Sequence, residues 1–111
     1  MAIQEKTLGQ STVLSASNST IYTVPAGTTT VVKIIWICNT TANDVTIELW
    51  NVPNGGSAAD GNKLMDGVTI PAGDFIQVST YLPMETAGDT LRAKGSTNVA
   101  LTVNLYGAEI T

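Results

Sequence analysis

Apolar residues in this chain fall in short runs separated by Gly, Pro, Asn, Asp and Ser, and the densest run is residues 30–38, Thr-Val-Val-Lys-Ile-Ile-Trp-Ile-Cys. It is β-branched at six of its nine positions and contains neither Gly nor Pro. That composition predicts a central strand with both faces largely covered. A polar turn signal at residues 39–44 follows, and residues 45–50 then alternate strictly. Val45, Ile47 and Leu49 share one face, and Thr46, Glu48 and Trp50 share the other. This is the pattern of a half-buried strand.

The rest of the chain repeats that grammar. Residues 1–14 mix charged and apolar positions without a clean period and read as an N-terminal arm or a first edge strand around residues 7–13, placed before a β-sandwich domain of residues 15–111. A Ser-rich loop precedes a short strand at residues 20–24, and Pro25-Ala26-Gly27 turns the chain into the central run. Pro presets the first corner of such a turn, and Gly supplies the left-handed position that closes it. The same device recurs at Pro71-Ala72-Gly73 between a short apolar strand and a longer one at residues 74–80, so the two halves look architecturally equivalent unless a common turn has simply occurred twice. Residues 51–62 form the longest stretch without a pattern, and Asp66-Gly67 reads as a turn between two short apolar segments. Residues 90–94 place Leu91 and Ala93 inward, and residues 95–98 read as a four-residue hairpin loop. The return strand carries the stripe Val99, Leu101, Val103 and Leu105, until Gly107 interrupts it and marks a bulge.

No window shows apolar positions at helical spacing with caps. About eight short antiparallel strands at regular intervals predict an all-β fold, a single β-sandwich of jelly-roll or other Greek-key type. With 111 residues the chain makes one domain. Its folded surface should be on the order of 5,800 Å², enough to bury a core without staples.

Composition changes the picture in one respect. Charged residues are 13% of the chain, about half of the ~25% usual for soluble domains. Thr, Ser and Asn supply most of the polarity, so the exterior is either a neutral, hydroxyl-rich β surface or a surface that a partner covers. The formal charge of -4 and the scatter of five basic residues, Lys6, Lys33, Lys63, Arg92 and Lys94, argue against a phosphate-binding footprint and hence against nucleic acid. Arg92 and Lys94 share one strand face and read as solvated charges. No apolar run approaches the ~20 residues of a membrane span, and the first residues lack a basic segment followed by an apolar one, so a soluble chain made without export is expected.

Catalytic chemistry finds few candidates. There are no histidines, and the single cysteine, Cys38, sits inside the most apolar run and reads as a small buried hydrophobe. Most of the nine carboxylates stand next to turn residues or at strand ends. Asp60-Gly61-Asn62 with Asp66-Gly67 could offer oxygen to a cation, but the spacing lacks the closing Glu of an EF-hand and reads as two Asx-Gly turns. No enzymatic activity, cofactor or metal is expected. More informative are Trp36 and Trp50, which fall on strands expected to be neighbours. Trp50 faces away from Val45, Ile47 and Leu49, either packing under an adjacent loop or anchoring an interface. Ile3 and Leu8 in the arm bury too little by themselves to offset an ordering entropy of about 1–2 kcal/mol per residue. If ordered, the arm should pair along a sheet edge, its own or a neighbour's. Ile3, Leu8, Trp36 and Trp50 are therefore the candidate interface residues.

Several stretches resemble small structural proteins of tailed-bacteriophage virions. They are Ile21-Tyr22-Thr23-Val24-Pro25-Ala26-Gly27-Thr28, Val31-Val32-Lys33, Cys38-Asn39-Thr40, Ile70-Pro71-Ala72-Gly73-Asp74, residues 87–93 and the closing Gly107-Ala108-Glu109-Ile110. The resemblance runs from Ile21 onward and leaves residues 1–20 outside it. It implies a β-sandwich accessory protein of the particle, most often a capsid decoration or cement protein on the capsid exterior, otherwise a neck, tail or fibre component, and no catalytic residues. The expected setting is the virion, after synthesis in the host cytoplasm. The expected partners are the major capsid protein or another virion protein, together with further copies of the chain in a small cyclic oligomer, a trimer being favoured. A carbohydrate- or receptor-binding module, with Tyr22, Trp36, Trp50 and Tyr81 as its aromatic candidates, is the alternative.

Overall fold

A computed structural model describes residues 2–111, and Met1, the first residue of the expected arm, lies outside the described residues. Among the described residues eight strands are formed: β1 (Ile3–Val13), β2 (Ser19–Thr23), β3 (Thr29–Asn39), β4 (Val45–Val52), β5 (Lys63–Ile70), β6 (Phe75–Met84), β7 (Thr90–Gly95) and β8 (Leu101–Ile110), with a 3₁₀ turn at Asp60–Asn62. They build two four-stranded sheets, the first in the order β1-β8-β3-β6 and the second in the order β2-β7-β4-β5. Every pairing is antiparallel. Of the connections between consecutive strands only β4–β5 stays within one sheet; all others cross the sandwich, which is the jelly-roll arrangement.

The core lies between the sheets and is filled by alternate residues of both. Ile35 and Ile37 of β3, Ile47 and Leu49 of β4, Leu91 and Ala93 of β7, and Leu101, Val103 and Leu105 of β8 are all buried. The two Pro-Ala-Gly turns are equivalent in geometry as well as in sequence. Each carries the chain from the second sheet to the first, and Gly27 and Gly73 close them at φ 69° and 68°. Asn39, fully buried at the end of β3, ties this end of the sandwich together. Its amide nitrogen donates to the carbonyls of Asn43 and Ile70 at 2.8 and 2.9 Å, and its oxygen accepts from the Thr41 amide and hydroxyl.

Several sequence expectations need correction. β7 and β8 lie in different sheets, so residues 95–98 are not a hairpin loop. The chain must instead cross roughly 10 Å between stacked sheets, and it does so with Val99 at φ 58° and 72% exposed rather than in the inward stripe. A β-branched residue in that region is strained; the Val99 amide is held there by donating to the Leu14 carbonyl at 3.0 Å. Asp66-Gly67 is not a turn but lies within β5, where Gly67 is the extra residue of a bulge against β4. Gly107 does not interrupt β8 either. The bulged residue is Lys33 on β3, opposite Tyr106 and Gly107. Gly107 is instead a point of close approach, since a Cβ there would stand 2.1 Å from the Val31 carbonyl oxygen.

β1 is an edge strand of the first sheet. It pairs with β8 from Ile3 opposite Ile110 to Val13 opposite Thr102, through irregularities between Thr7 and Thr12, and Ala2 and Thr111 exchange both backbone hydrogen bonds. Deleting residues 1–6 therefore strips β8 of its partners from Gly107 to Ile110 and should lower the thermal unfolding midpoint of the isolated chain. An unchanged midpoint in a calorimetric scan would contradict the pairing. Gly107→Ala should cost about 3 kcal/mol in urea unfolding, because the clash is with backbone and cannot be relieved by a rotamer change.

Candidate functional site

The two outer faces of the sandwich differ in chemistry. On the second sheet, Glu48 of β4 accepts from Lys63 of β5 at 2.8 Å and pairs with Lys94 of β7 at 3.5 Å, and Lys63 also donates to Asp66 at 2.8 Å. Arg92 lies opposite Trp50. The Lys63 hydrogen bond, above all, holds the Glu48 carboxyl below its usual range, while Asp66 and then Glu48 raise the Lys63 ammonium. This is a solvated face covered by an ion-pair network. The candidate oxygens of Asp60-Gly61-Asn62 and Asp66 sit at its margin, in the 3₁₀ turn and on β5, with Asp66 already engaged by Lys63.

The outer face of the first sheet is different. Its charges stand at one end, where Lys33 pairs with Glu5; the Lys6–Glu109 pair, at 3.0 Å, belongs to the same end but to the inward side, in register with Gly107 and Thr30. Beyond them, residues 7–13, 34–38, 75–83 and 101–106 contain no charged residue. Register places Ile34, Trp36 and Cys38 of β3 between Tyr106, Asn104 and Thr102 of β8 on one side and Ser79, Gln77 and Phe75 of β6 on the other. Trp36 and Phe75 stack with ring centroids 4.9 Å apart and planes 17° apart. Trp36, Phe75, Tyr106 and Val13 are 36%, 48%, 37% and 54% exposed. Large apolar groups concentrated on one uncharged face mark a surface suited to a partner.

Of the four candidate interface residues the structure brings none together in one site. Trp36 lies on the uncharged face just described. Trp50 belongs to the second sheet, is 8% exposed, and has the Lys63 ammonium 5.4 Å from its ring centre. The expected adjacency of the two Trp strands is thus corrected: β3 and β4 are in different sheets, because the turn between them crosses the sandwich. Ile3 is 64% exposed at the charged end of β1, and Leu8 is half-buried against the core. The aromatic set proposed for sugar binding is likewise dispersed, with Tyr22 in the core and Tyr81 exposed on β6. Sequence reading missed Phe75 and Tyr106, and with them the whole face, by treating β3 as covered on both sides. The signal was present in the alternation of Phe75, Gln77 and Ser79 against Ile76 and Val78. Cys38, expected to be buried, is half-buried next to Phe75 on the same face.

At the charged end, Tyr22 links the two sheets. Its hydroxyl donates to Glu109 Oε2 at 2.6 Å and lies 2.7 Å from Thr30 Oγ1. The carboxylate can only accept, so Thr30 donates to Tyr22. Burial, then the bond to Glu109, pushes the Tyr22 phenol up to about 12, while the Tyr22 hydroxyl and Lys6 hold the Glu109 carboxyl down.

Solved structures share this fold. A chain in the structure of the infectious bursal disease virus Gx strain superposes with a TM-score of 0.58 at 9% identity, over 97% of this chain and 31% of that one. A chain of the T13 viral particle of the same virus gives a TM-score of 0.58 at 9% identity, over 98% and 31%. This chain spans under a third of the length of those proteins, and the likeness is one of fold. No protein-family model matches the sequence, and no curated protein matches it.

The Tyr22 network sets a pH dependence at both ends. Glu109, lowered from 4.5, contributes stability that is present above that value and lost as pH falls through its depressed folded value. Tyr22, raised from 10.0, contributes stability that is full below 10.0 and lost as pH rises to about 12. Tyr22→Phe should cost about 2 kcal/mol at neutral pH and flatten the loss at both extremes, as read by urea unfolding between pH 3 and 11. A parallel downward shift of the whole profile would contradict the assignment.

Proposed function

We propose that this chain is a non-enzymatic structural protein of a tailed-bacteriophage virion, most specifically a capsid decoration or cement protein that binds the capsid exterior through the outer face of its first sheet. The observation that carries the reading is the difference between the two outer faces: one is covered by ion pairs, the other is uncharged over most of its length and carries the Trp36–Phe75 stack. A protein seated on a particle needs one face for the lattice and one for water. The jelly roll shared with chains of an icosahedral virus particle supports the same reading, as does the resemblance of the turn and strand motifs to phage virion proteins. The major capsid protein is the partner, and many copies on a regular lattice turn modest single contacts into stable attachment. The neck, tail or fibre alternative with a sugar-binding role has less to draw on, because the candidate aromatics are scattered and Trp36 and Phe75 each give one ring face to the other.

Purified particles should contain the chain in fixed proportion to the major capsid protein; a handful of copies per particle would instead favour the neck or tail. Trp36→Lys should weaken rebinding of the purified protein to particles stripped of it by tenfold or more, which corresponds to about 1.4 kcal/mol per contact. Lys94→Ser on the opposite face should leave rebinding unchanged. The reverse pattern in a sedimentation assay would place the docking face on the second sheet.

A further inference from the structure

The sandwich has four sheet edges, and three of them are blunted by charge or by short length. β1 carries Glu5 and Lys6 and is irregular against β8 between Thr7 and Thr12. β5 carries Lys63 and Asp66 and is bulged twice against β4. β2 is five residues long. β6 is irregular against β3 between Ser79 and Leu82, where Thr80 and Tyr81 stand opposite Lys33 alone, but it lacks the other two defences. Its ten residues, Phe-Ile-Gln-Val-Ser-Thr-Tyr-Leu-Pro-Met, contain no charge, Pro83 comes only near the end, and Phe75–Ser79 pair with β3 without a shift. A long uncharged edge strand is a template for another strand, and soluble proteins ordinarily protect such an edge.

Two further features lie along the same edge. Tyr81 is 73% exposed. An apolar cleft of about 180 Å³, lined by Ile35, Leu49, Leu64, Met65, Val78 and Leu82 together with Thr80, opens between β6 and β5 and reaches the core residues. β6 thus combines unpaired backbone, an uncovered aromatic ring and an opening into the interior.

We propose that β6 pairs antiparallel with β6 of a second copy of this chain, joining the two first sheets into one continuous eight-stranded sheet across a two-fold axis. A second copy is the occupant that the edge itself specifies. An uncharged strand meets its own image without like-charge repulsion, and an antiparallel pairing of identical strands is self-complementary and closes as a dimer. The register follows from the pleat. Residues directly opposite one another share a face, so a residue and not a peptide bond must lie on the axis. Centring on Val78 pairs Gln77 with Ser79 on the outer face, brings Phe75 to the irregular segment at Tyr81, and keeps Pro83 outside the ladder. Centring on Ser79 would set Phe75 against Pro83. With Val78 on the axis, Tyr81 of the second copy stands beside Phe75, which extends the Trp36–Phe75 stack across the dimer. Paired Val78 side chains then narrow the mouths of both clefts. The contact builds a two-fold dimer, in place of the trimer expected from the sequence, and it does not depend on what the outer face binds.

Equilibrium sedimentation of the purified chain should give a mass twice its 11.6 kDa. Hydrogen exchange should show alternate β6 amides protected in the dimer and rapidly exchanging on dilution below the dissociation constant. Gln77→Lys with Ser79→Lys places lysines opposite one another twice across the axis, at positions already exposed. This variant should raise the dissociation constant at least tenfold while its circular dichroism and unfolding midpoint stay close to those of the parent. A second variant, Gln77→Cys with Ser79→Cys in a Cys38→Ser background, should form a covalent dimer on mild oxidation. A monomeric mass at 100 μM, or an oligomer whose mass and β6 exchange are unaffected by the paired lysines, would overturn the proposal. Neither result bears on particle binding, which the Trp36→Lys experiment reads separately.

Discussion

One inserted residue decides which way the centre of this protein faces. On β3, Thr30 and Val32 point into the sandwich, and strict alternation would continue with Ile34, Trp36 and Cys38. The bulge at Lys33 breaks that parity, so Ile35, Ile37 and Asn39 enter the core and Trp36 is turned outward. A slip of one residue exchanges every side chain between faces. The bulge has a plain physical cause: carried back along the strand, the inward set Ile35, Ile37 and Asn39 would bury Lys33, and a lysine cannot be buried without a partner; the change of parity leaves it outside beside Glu5, opposite the Cβ-free backbone of Gly107. Core packing, the placement of Asn39 and the composition of the uncharged face all follow from that single displacement.

The same displacement explains what could and could not be read beforehand. The strands themselves were legible, because β-branched runs bounded by Gly, Pro and Asn leave few other conformations open, and the alternation of Val45, Ile47 and Leu49 fixed the inner face of β4 correctly. Layer assignment was not legible. A turn such as residues 95–98 looks the same whether it returns along its own sheet or crosses to the other, since what distinguishes them is the distance to a partner strand far away in sequence. That is why the alternation alone puts Val99 in a buried stripe, and the turn at residues 39–44 alone makes neighbours of the Trp36 and Trp50 strands. The β3 bulge was equally hidden, because its cause involves Glu5 and Gly107, which are remote from Lys33 along the chain.

The candidate surface inherits this limit. No residue on it carries chemistry that a motif could reveal; Gln77, Ser79, Thr102 and Asn104 are ordinary strand residues. Its character emerges only when β6, β3 and β8 are laid side by side, and then as an absence of charge over a broad area. The opposite face gathers Glu48, Lys63, Asp66, Arg92 and Lys94, a large share of the chain's few charges. Segregation of that kind keeps one side well hydrated while leaving the other free to be covered.

The pairing of β1 with β8 also orders events in time. Ile3–Val13 leaves the ribosome well before its hydrogen-bonding partner Leu101–Ile110, and the central β3 needs that same strand on one side. The first sheet therefore lacks its middle until residues 101–110 have emerged. Until then β1 and one flank of β3 present unsatisfied backbone and apolar side chains to the cell. Assembly from such distant pairs is slow, and the nascent sandwich is aggregation-prone in the interval before Leu101–Ile110 emerges.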